Sequence, residues 1–352
     1  MTEVLALDPQ QPDPAGIARA AAVLRAGGLV AFPTETVYGL GAHAMDPDAV
    51  RRIFAAKRRP AEDPLIVHVH DASLVGQLAA AVPPIVDVLA ARFWPGPLTI
   101  VLRRASAVPL EVTAGLDTVA VRIPAHPIAR ALINAAGVPV AAPSANLFSR
   151  PSPTRAAHVL EDLDGRIDMV IDGGATTVGV ESTVIDLTTS PPGILRPGAI
   201  TLEMIRGLLP DVCLRPSRTD ESHSGGMKSP GLLSRHYSPR AALTLYEGLA
   251  SEVVARMSAD AAEAVARGSR VGIIIADEDA APSPSDSLRV IQLGRERDYD
   301  ALAANLYHAL RSLDAAEVDL ILIRHFGDSS GLSTAIHDRL TRAAAGRIVR
   351  VP

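Results

Sequence analysis

The chain has 352 residues, more than one hydrophobic core usually serves, so two domains are expected. Hydrophobic residues make up 48% of it but aromatics only 3%, which implies a core of Ala, Val, Leu and Ile and excludes an aromatic base-stacking surface. A formal net charge of -5 argues against nucleic-acid binding through the overall field, although a local basic patch is compatible with it.

One cysteine, Cys213, excludes an internal disulfide and any multi-cysteine zinc or iron–sulfur site, as suits a reducing cytosol. The start, MTEVLALDPQQPDPAG, carries acids and prolines where a signal peptide would carry a basic and then an apolar stretch. Uncharged runs such as Ala72 to Val86, broken by Pro83-Pro84, are too short to cross a bilayer. A cytoplasmic protein without membrane insertion is expected.

From residue 14 to about 209, helical and strand patterns alternate. Ile17, Ala21 and Leu24 mark an apolar helix face that Gly27-Gly28 stops. Leu29-Val30-Ala31-Phe32 reads as a buried strand, and Pro33-Thr34-Glu35-Thr36-Val37-Tyr38-Gly39-Leu40-Gly41 follows it. Two hydroxyls, a carboxylate and a phenol should therefore emerge at a strand end, where α/β sheets place ligands. Asp46-Pro47 is an N-cap and N1 pair for a helix that ends in Lys57-Arg58-Arg59. Strands are expected at Leu65 to Val69, Leu98 to Leu102, Val119 to Ile123, Val138 to Ala142, Met169 to Ile171, Thr183 to Leu187 and Ile194 to Arg196. Together they predict a large mixed sheet with helices packed on it.

Residues 211 to 240 lose periodicity and gather Ser, Gly and Pro, which reads as a linker too long to be passive, with Arg235-His236-Tyr237 near its end. Beyond it, strand patterns at Leu243 to Tyr246, Val271 to Ala276, Val290 to Leu293 and Leu320 to Ile323 alternate with helical ones at Glu252 to Ala266, Leu302 to Leu313 and Ser333 to Ala345. A second, smaller α/β domain is expected there.

Several clusters carry chemistry beyond folding. Lys57-Arg58-Arg59-Pro60-Ala61-Glu62-Asp63-Pro64 is either a solvated basic helix end or a rigid phosphate clamp. Strand period puts Val119, Val121 and Ile123 on one face and Thr118, Ala120 and Arg122 on the other. Arg122 is then either paired to a carboxylate of the fold or open to an anionic ligand. Ala142-Pro143-Ser144-Ala145-Asn146, Ser152, and Gly179-Val180-Glu181-Ser182-Thr183 with Arg196 supply further polar groups at strand edges. No P-loop, GxSxG elbow or HExxH pair occurs, Gly225-Gly226-Met227-Lys228-Ser229 matching a P-loop tail only superficially. His68 and His70 have no companions at metal-ligand spacing, so no protein-held metal is expected.

In this order and at compatible spacings, PTETVYGLG, KRRPAEDPLIVHV, TVAVRIP, APSAN, GVESTVID and ILRPGAIT resemble the Sua5/YrdC/YwlC family of threonylcarbamoyl-adenylate synthases. The RHYSP linker and the following α/β domain resemble the long Sua5 form. The resemblance implies a YrdC-like mixed, twisted sheet with helices at 14–209, a linker or lid at 210–240, and a smaller Rossmann-like C-terminal Sua5 domain at 241–352. It implies that L-threonine, bicarbonate and ATP, the last with Mg²⁺, give threonylcarbamoyl-AMP and pyrophosphate. A tRNA threonylcarbamoyltransferase complex would then pass the group to adenosine 37 of tRNA.

Mapped by motif, Thr36, His68, Arg122, Ala142 and Ser182 would hold threonine, and Arg59, Asp63, Thr118, Ser144, Ser152, Arg196 and Tyr237 would hold ATP. Lys57 and Arg59 would be the catalytic cations beside the phosphates, while Glu35 and Tyr38 receive no role. Asp63 stands where the family usually has Asn, and Leu233 and Ser234 where its linker more often has Lys and an aromatic. The alternative from another class is a YrdC-type module binding double-stranded RNA or tRNA, which would show salt-sensitive RNA binding without ATP-dependent pyrophosphate release.

Overall fold

The computed structural model describes residues 1–215, 236–328 and 330–352, so most of the expected linker, with Leu233, Ser234 and Arg235, lies outside the described residues. The described chain divides into two compact units, residues 1–148 with 152–215, and residues 149–151 with 236–352.

The strands of the first unit are β1 (Glu3–Ala6), β2 (Val30–Phe32), β3 (Gly39–His43), β4 (Ile66–His68), β5 (Leu98–Arg103), β6 (Thr118–Arg122), β7 (Val140–Ala141), β8 (Met169–Asp172), β9 (Thr183–Asp186), β10 (Gly193–Arg196) and β11 (Cys213–Leu214). They form one mixed sheet in the order β1-β8-β2-β3-β7-β4-β6-β5-β9-β10-β11. β4 and β6 run parallel, flanked by antiparallel β7 and β5.

Helix starts follow local chemistry. Asp13 accepts a hydrogen bond from Gly16 N ahead of helix Pro14–Arg25, and Asp46 accepts from Asp48 N ahead of helix Pro47–Lys57, each with Pro at the start. The second helix stops where Arg58 takes a left-handed φ of 52°.

At one side of the sheet Ala31, Val67, Val119, Val121 and Ile123 pack with helices Pro47–Lys57 and Ile85–Phe93. At the other, Val30, Phe32, Val140 and Met169 pack with helices Pro14–Arg25 and Pro127–Ala136. β2 is buried on both faces, which explains its unbroken apolar sequence. Opposite Val119 and Val121, the central strands carry a small apolar cluster of Ile66, Val101, Ala120 and Val184. That buried face is the one on which period two places His68, Thr99 and Arg122.

Gly39 and Gly41 belong to β3, and a side chain at Gly41 would collide with Phe32 and Val140 at under 3 Å, so its small size serves sheet packing. β1 is too short to register in the sequence and is defined by parallel pairing with β8.

The second unit holds β12 (Ala242–Glu247), β13 (Val271–Ile275), β14 (Leu288–Gln292), β15 (Leu320–Arg324) and β16 (Ile348–Arg350) in the order β14-β13-β15-β12-β16, all parallel. Helices Ala250–Ala266, Tyr299–Ala315 and Gly331–Ala344 supply crossovers that parallel pairing requires. Among the described residues no helix is long and apolar enough to cross a membrane.

Candidate active site

β4 and β6 place His68 and Arg122 side by side in register, and β5 places Thr99 opposite Arg122. Arg122 reaches the loop between β2 and β3. Its Nη2 donates to Glu35 Oε1 at 2.7 Å, its Nη1 to Thr36 Oγ1 at 3.0 Å and its Nε to Gly96 O at 3.3 Å. Arg122 is thus paired by one prong with a carboxylate of the fold, Glu35.

The 33–38 loop is itself held firmly. Thr34 Oγ1 donates to Val37 O at 2.6 Å and meets Thr36 Oγ1 at 2.8 Å. Val178 N and Gly179 N donate to the carbonyls of Glu35 and Thr36, and Ala145 N to that of Tyr38. Tyr38 is fully buried and donates to Gly174 O at 2.6 Å, while burial pushes its phenol above the ordinary range. Tyr38 therefore anchors the loop as a neutral hydrogen-bond donor.

Lys57 and Arg59 are not a solvated helix end, since both are buried. Lys57 Nζ donates to Ser144 O at 2.6 Å and Asn146 O at 2.5 Å, tying the helix end to the Pro143–Asn146 turn. Arg59 donates to the carbonyls of Asp63 and Pro64, and its Nη2 lies 2.9 Å from Asp63 Oδ2. Burial pushes the Asp63 carboxyl up, and the charges of Arg59, Lys57 and Arg196 oppose that shift. The departure to Asp at position 63 thus sits among three cations that an amide would not balance.

Ser182 Oγ meets Thr99 Oγ1 at 2.8 Å, and Arg196 holds both the carbonyl and the hydroxyl of Ser182 at 3.1 Å. Ser152 Oγ donates to Glu181 Oε1 at 2.5 Å, giving that motif carboxylate a partner. Thr118 opens β6, and Ala142 N donates to Ile66 O. Ser144 bridges to Gly39. Hydrogen bonds and register therefore join Thr36, His68, Arg122, Thr99, Ser182 and Arg196 in one chain of contacts, and a second links Lys57 to the Ser144 turn.

Tyr237 belongs to the second unit, where it is buried with a left-handed φ of 60°. Its ring stands 4.1 Å from His236 and 5.7 Å from Tyr307, with the Arg339 guanidinium 5.2 Å from its centroid. Sequence reading gave Glu35, Tyr38 and Glu181 no role and did not single out Thr99. The visible signal was only that polar residues flank strand ends.

His68 is buried, and burial together with the Arg122 charge pushes its imidazole down to about 3. As pH falls below 6.5 the unfolded chain binds a proton at His68 that the folded chain refuses, so His68 makes stability fall with pH between about 6.5 and 3. The slope is about 1.4 kcal/mol per pH unit. Asp63, shifted upward, contributes with the opposite sign in acid. His68→Gln should flatten the decline, measured as urea-unfolding free energy at pH 6.5 and 4.5; an unchanged decline would show that His68 accepts a proton in the fold.

A family model described as "Telomere recombination" (Sua5_yciO_yrdC) matches residues 22–198, and one described as "Threonylcarbamoyl-AMP synthase, C-terminal domain" (Sua5_C) matches residues 200–345. The mixed sheet with its Arg122 cluster, followed by the parallel unit, is thus the two-domain Sua5 arrangement. The chain is 46% identical over 332 residues to threonylcarbamoyl-AMP synthase of Pyrococcus abyssi, covering 94% of this chain and 95% of that one. Against the Bacillus subtilis protein of the same name it is 45% identical over 335 residues, covering 95% and 94%. The crystal structure of P. abyssi Sua5 complexed with L-threonine matches with a TM-score of 0.93 at 44% identity, covering 100% of both chains. The chain belongs to the Sua5 threonylcarbamoyl-AMP synthase family.

Proposed function

We propose that the protein is an L-threonylcarbamoyladenylate synthase, a nucleotidyltransferase that makes threonylcarbamoyl-AMP and pyrophosphate from L-threonine, bicarbonate and ATP. The observation that carries the reading is the buried Arg122 cluster. A guanidinium, two threonine hydroxyls and a neutral imidazole converge there, and His68 Nδ1 has no hydrogen-bond partner among the described residues. Such a set suits a small amino acid with a carboxylate and a hydroxyl. Family membership and the threonine-bound relative support it.

In this reading the threonine carboxylate faces Arg122, and Thr36, His68, Ala142 and Ser182 surround the rest of the molecule. The neutral amine forms a bond to the carbon of bicarbonate or CO2, giving a carbamate together with water from bicarbonate or a released proton from CO2. A carbamate oxygen then attacks the α-phosphorus of ATP, the α–β anhydride bond breaks and pyrophosphate leaves. Neither step needs a protein nucleophile; positioning and charge compensation do the work. Arg59, Asp63, Thr118, Ser144, Ser152 and Arg196 would hold the nucleotide, with Lys57 fixing the Ser144 turn beside it. Exclusion of water protects a labile product.

Among the described residues no group of three His, Cys, Asp or Glu could hold a metal, and Asp63 and Glu181 face Arg59 and Ser152. Mg²⁺ is accordingly proposed as the counter-charge that arrives with the phosphates of ATP. A cytosolic location, and handover of the product to a tRNA threonylcarbamoyltransferase complex, complete the proposal. Purified protein should release pyrophosphate from ATP only when threonine and bicarbonate are both present. Threonine-independent release would overturn the reading.

A further inference from the structure

Glu35 is buried, and only one of its oxygens is used. Oε1 accepts from Arg122 Nη2 at 2.7 Å, whereas Oε2 is buried with no hydrogen-bond partner among the described residues. Arginine and carboxylate favour a two-pronged pair, so the single-pronged arrangement leaves a strong acceptor unsatisfied beside the guanidinium. A buried acceptor without a donor is costly, and native folds rarely keep one without a use. The loop cannot easily turn it away, because Val178 N and Thr177 Oγ1 hold the Glu35 carbonyl and Gly179 N holds that of Thr36.

A zwitterionic α-amino acid carries an ammonium and a carboxylate on one carbon. The Arg122–Glu35 pair presents the complementary charges side by side at the same spacing of a few ångströms. We propose that Glu35 Oε2 is the acceptor for the amino group of threonine, so that the Arg122–Glu35 pair reads the α-amino acid as a zwitterion. This rests on the synthase reading and extends it, since it gives the carboxylate of the PTETVYGLG segment a substrate contact. Glu35 then holds the nitrogen where it must meet bicarbonate, takes the ammonium proton whose departure leaves the amine neutral for attack, and selects against hydroxy acids that share threonine's carboxylate and side chain.

The test compares direct binding, by calorimetry, of L-threonine and of 2,3-dihydroxybutanoate, which carries a hydroxyl in place of the amine. The wild type should prefer threonine by about tenfold or more, and Glu35→Gln should remove most of that preference by weakening threonine while leaving the analogue within about threefold. Glu35→Asp, which keeps the charge, should retain part of it and serves if the glutamine variant does not fold. Equal loss of both ligands in Glu35→Gln would mean that Glu35 acts only by orienting Arg122, and would overturn the proposal. So would a wild-type preference near one. A wild type that binds no threonine would overturn the synthase reading itself.

Discussion

Arg122→Ala is expected to raise the threonine concentration for half-maximal pyrophosphate release by about a hundredfold while leaving that for ATP within about threefold. The expected loss follows from removing a charge-assisted contact to a buried carboxylate, worth about 1.5 to 3 kcal/mol. The same change strands Glu35, whose carboxylate is buried and paired to Arg122 at 2.7 Å. Breaking one side of a buried ion pair costs about 3–5 kcal/mol, so the variant should also unfold at lower urea. Arg122→Ala combined with Glu35→Gln removes the stranded charge. It should recover much of the stability and none of the threonine use, which separates the two effects. Equal weakening for threonine and ATP in the folded double variant would remove Arg122 from the threonine site.

How much of this was legible in the sequence varies with the range of the interaction. Alternation in Thr118–Arg122 correctly divided the strand: Val119 and Val121 enter the main core, Ala120 the small opposite cluster, and Arg122 follows Ala120. Capping is equally local, and Asp46-Pro47 marked its helix start. The partner of Arg122 was not legible, because Glu35 is 87 positions away and any buried carboxylate would satisfy the same local pattern. In the basic cluster, the left-handed turn at Arg58 leaves that residue exposed and turns inward Lys57 and Arg59, the two cations that the motif match selects. Which residues flank a strand end is a local property; which of them meet is set by strand order, here β4 and β6 adjacent with β7 and β5 outside.

Lys57→Met carries the second large expected effect, and it distinguishes a structural tie from a simple phosphate contact. The ammonium donates to two carbonyls, Ser144 O and Asn146 O, while the Lys57 carbonyl accepts from Phe148 N at 2.9 Å. The helix end and the turn thus share one residue for three hydrogen bonds. Methionine keeps the stem and the backbone bond but leaves both carbonyls without the charged donor, a loss of about 3 kcal/mol. In a unit of this size that lowers the unfolding midpoint by roughly 6–12 °C. Because the turn presents Ser144 to the proposed nucleotide site, the ATP requirement should rise about tenfold alongside, with the threonine requirement within about threefold. Calorimetric unfolding and steady-state pyrophosphate release on the same preparation check both. An unchanged midpoint with weakened ATP use would make Lys57 a phosphate ligand alone, and the turn would then owe its position to the Gly39–Ser144 bridge and the Ala145 hydrogen bond to Tyr38.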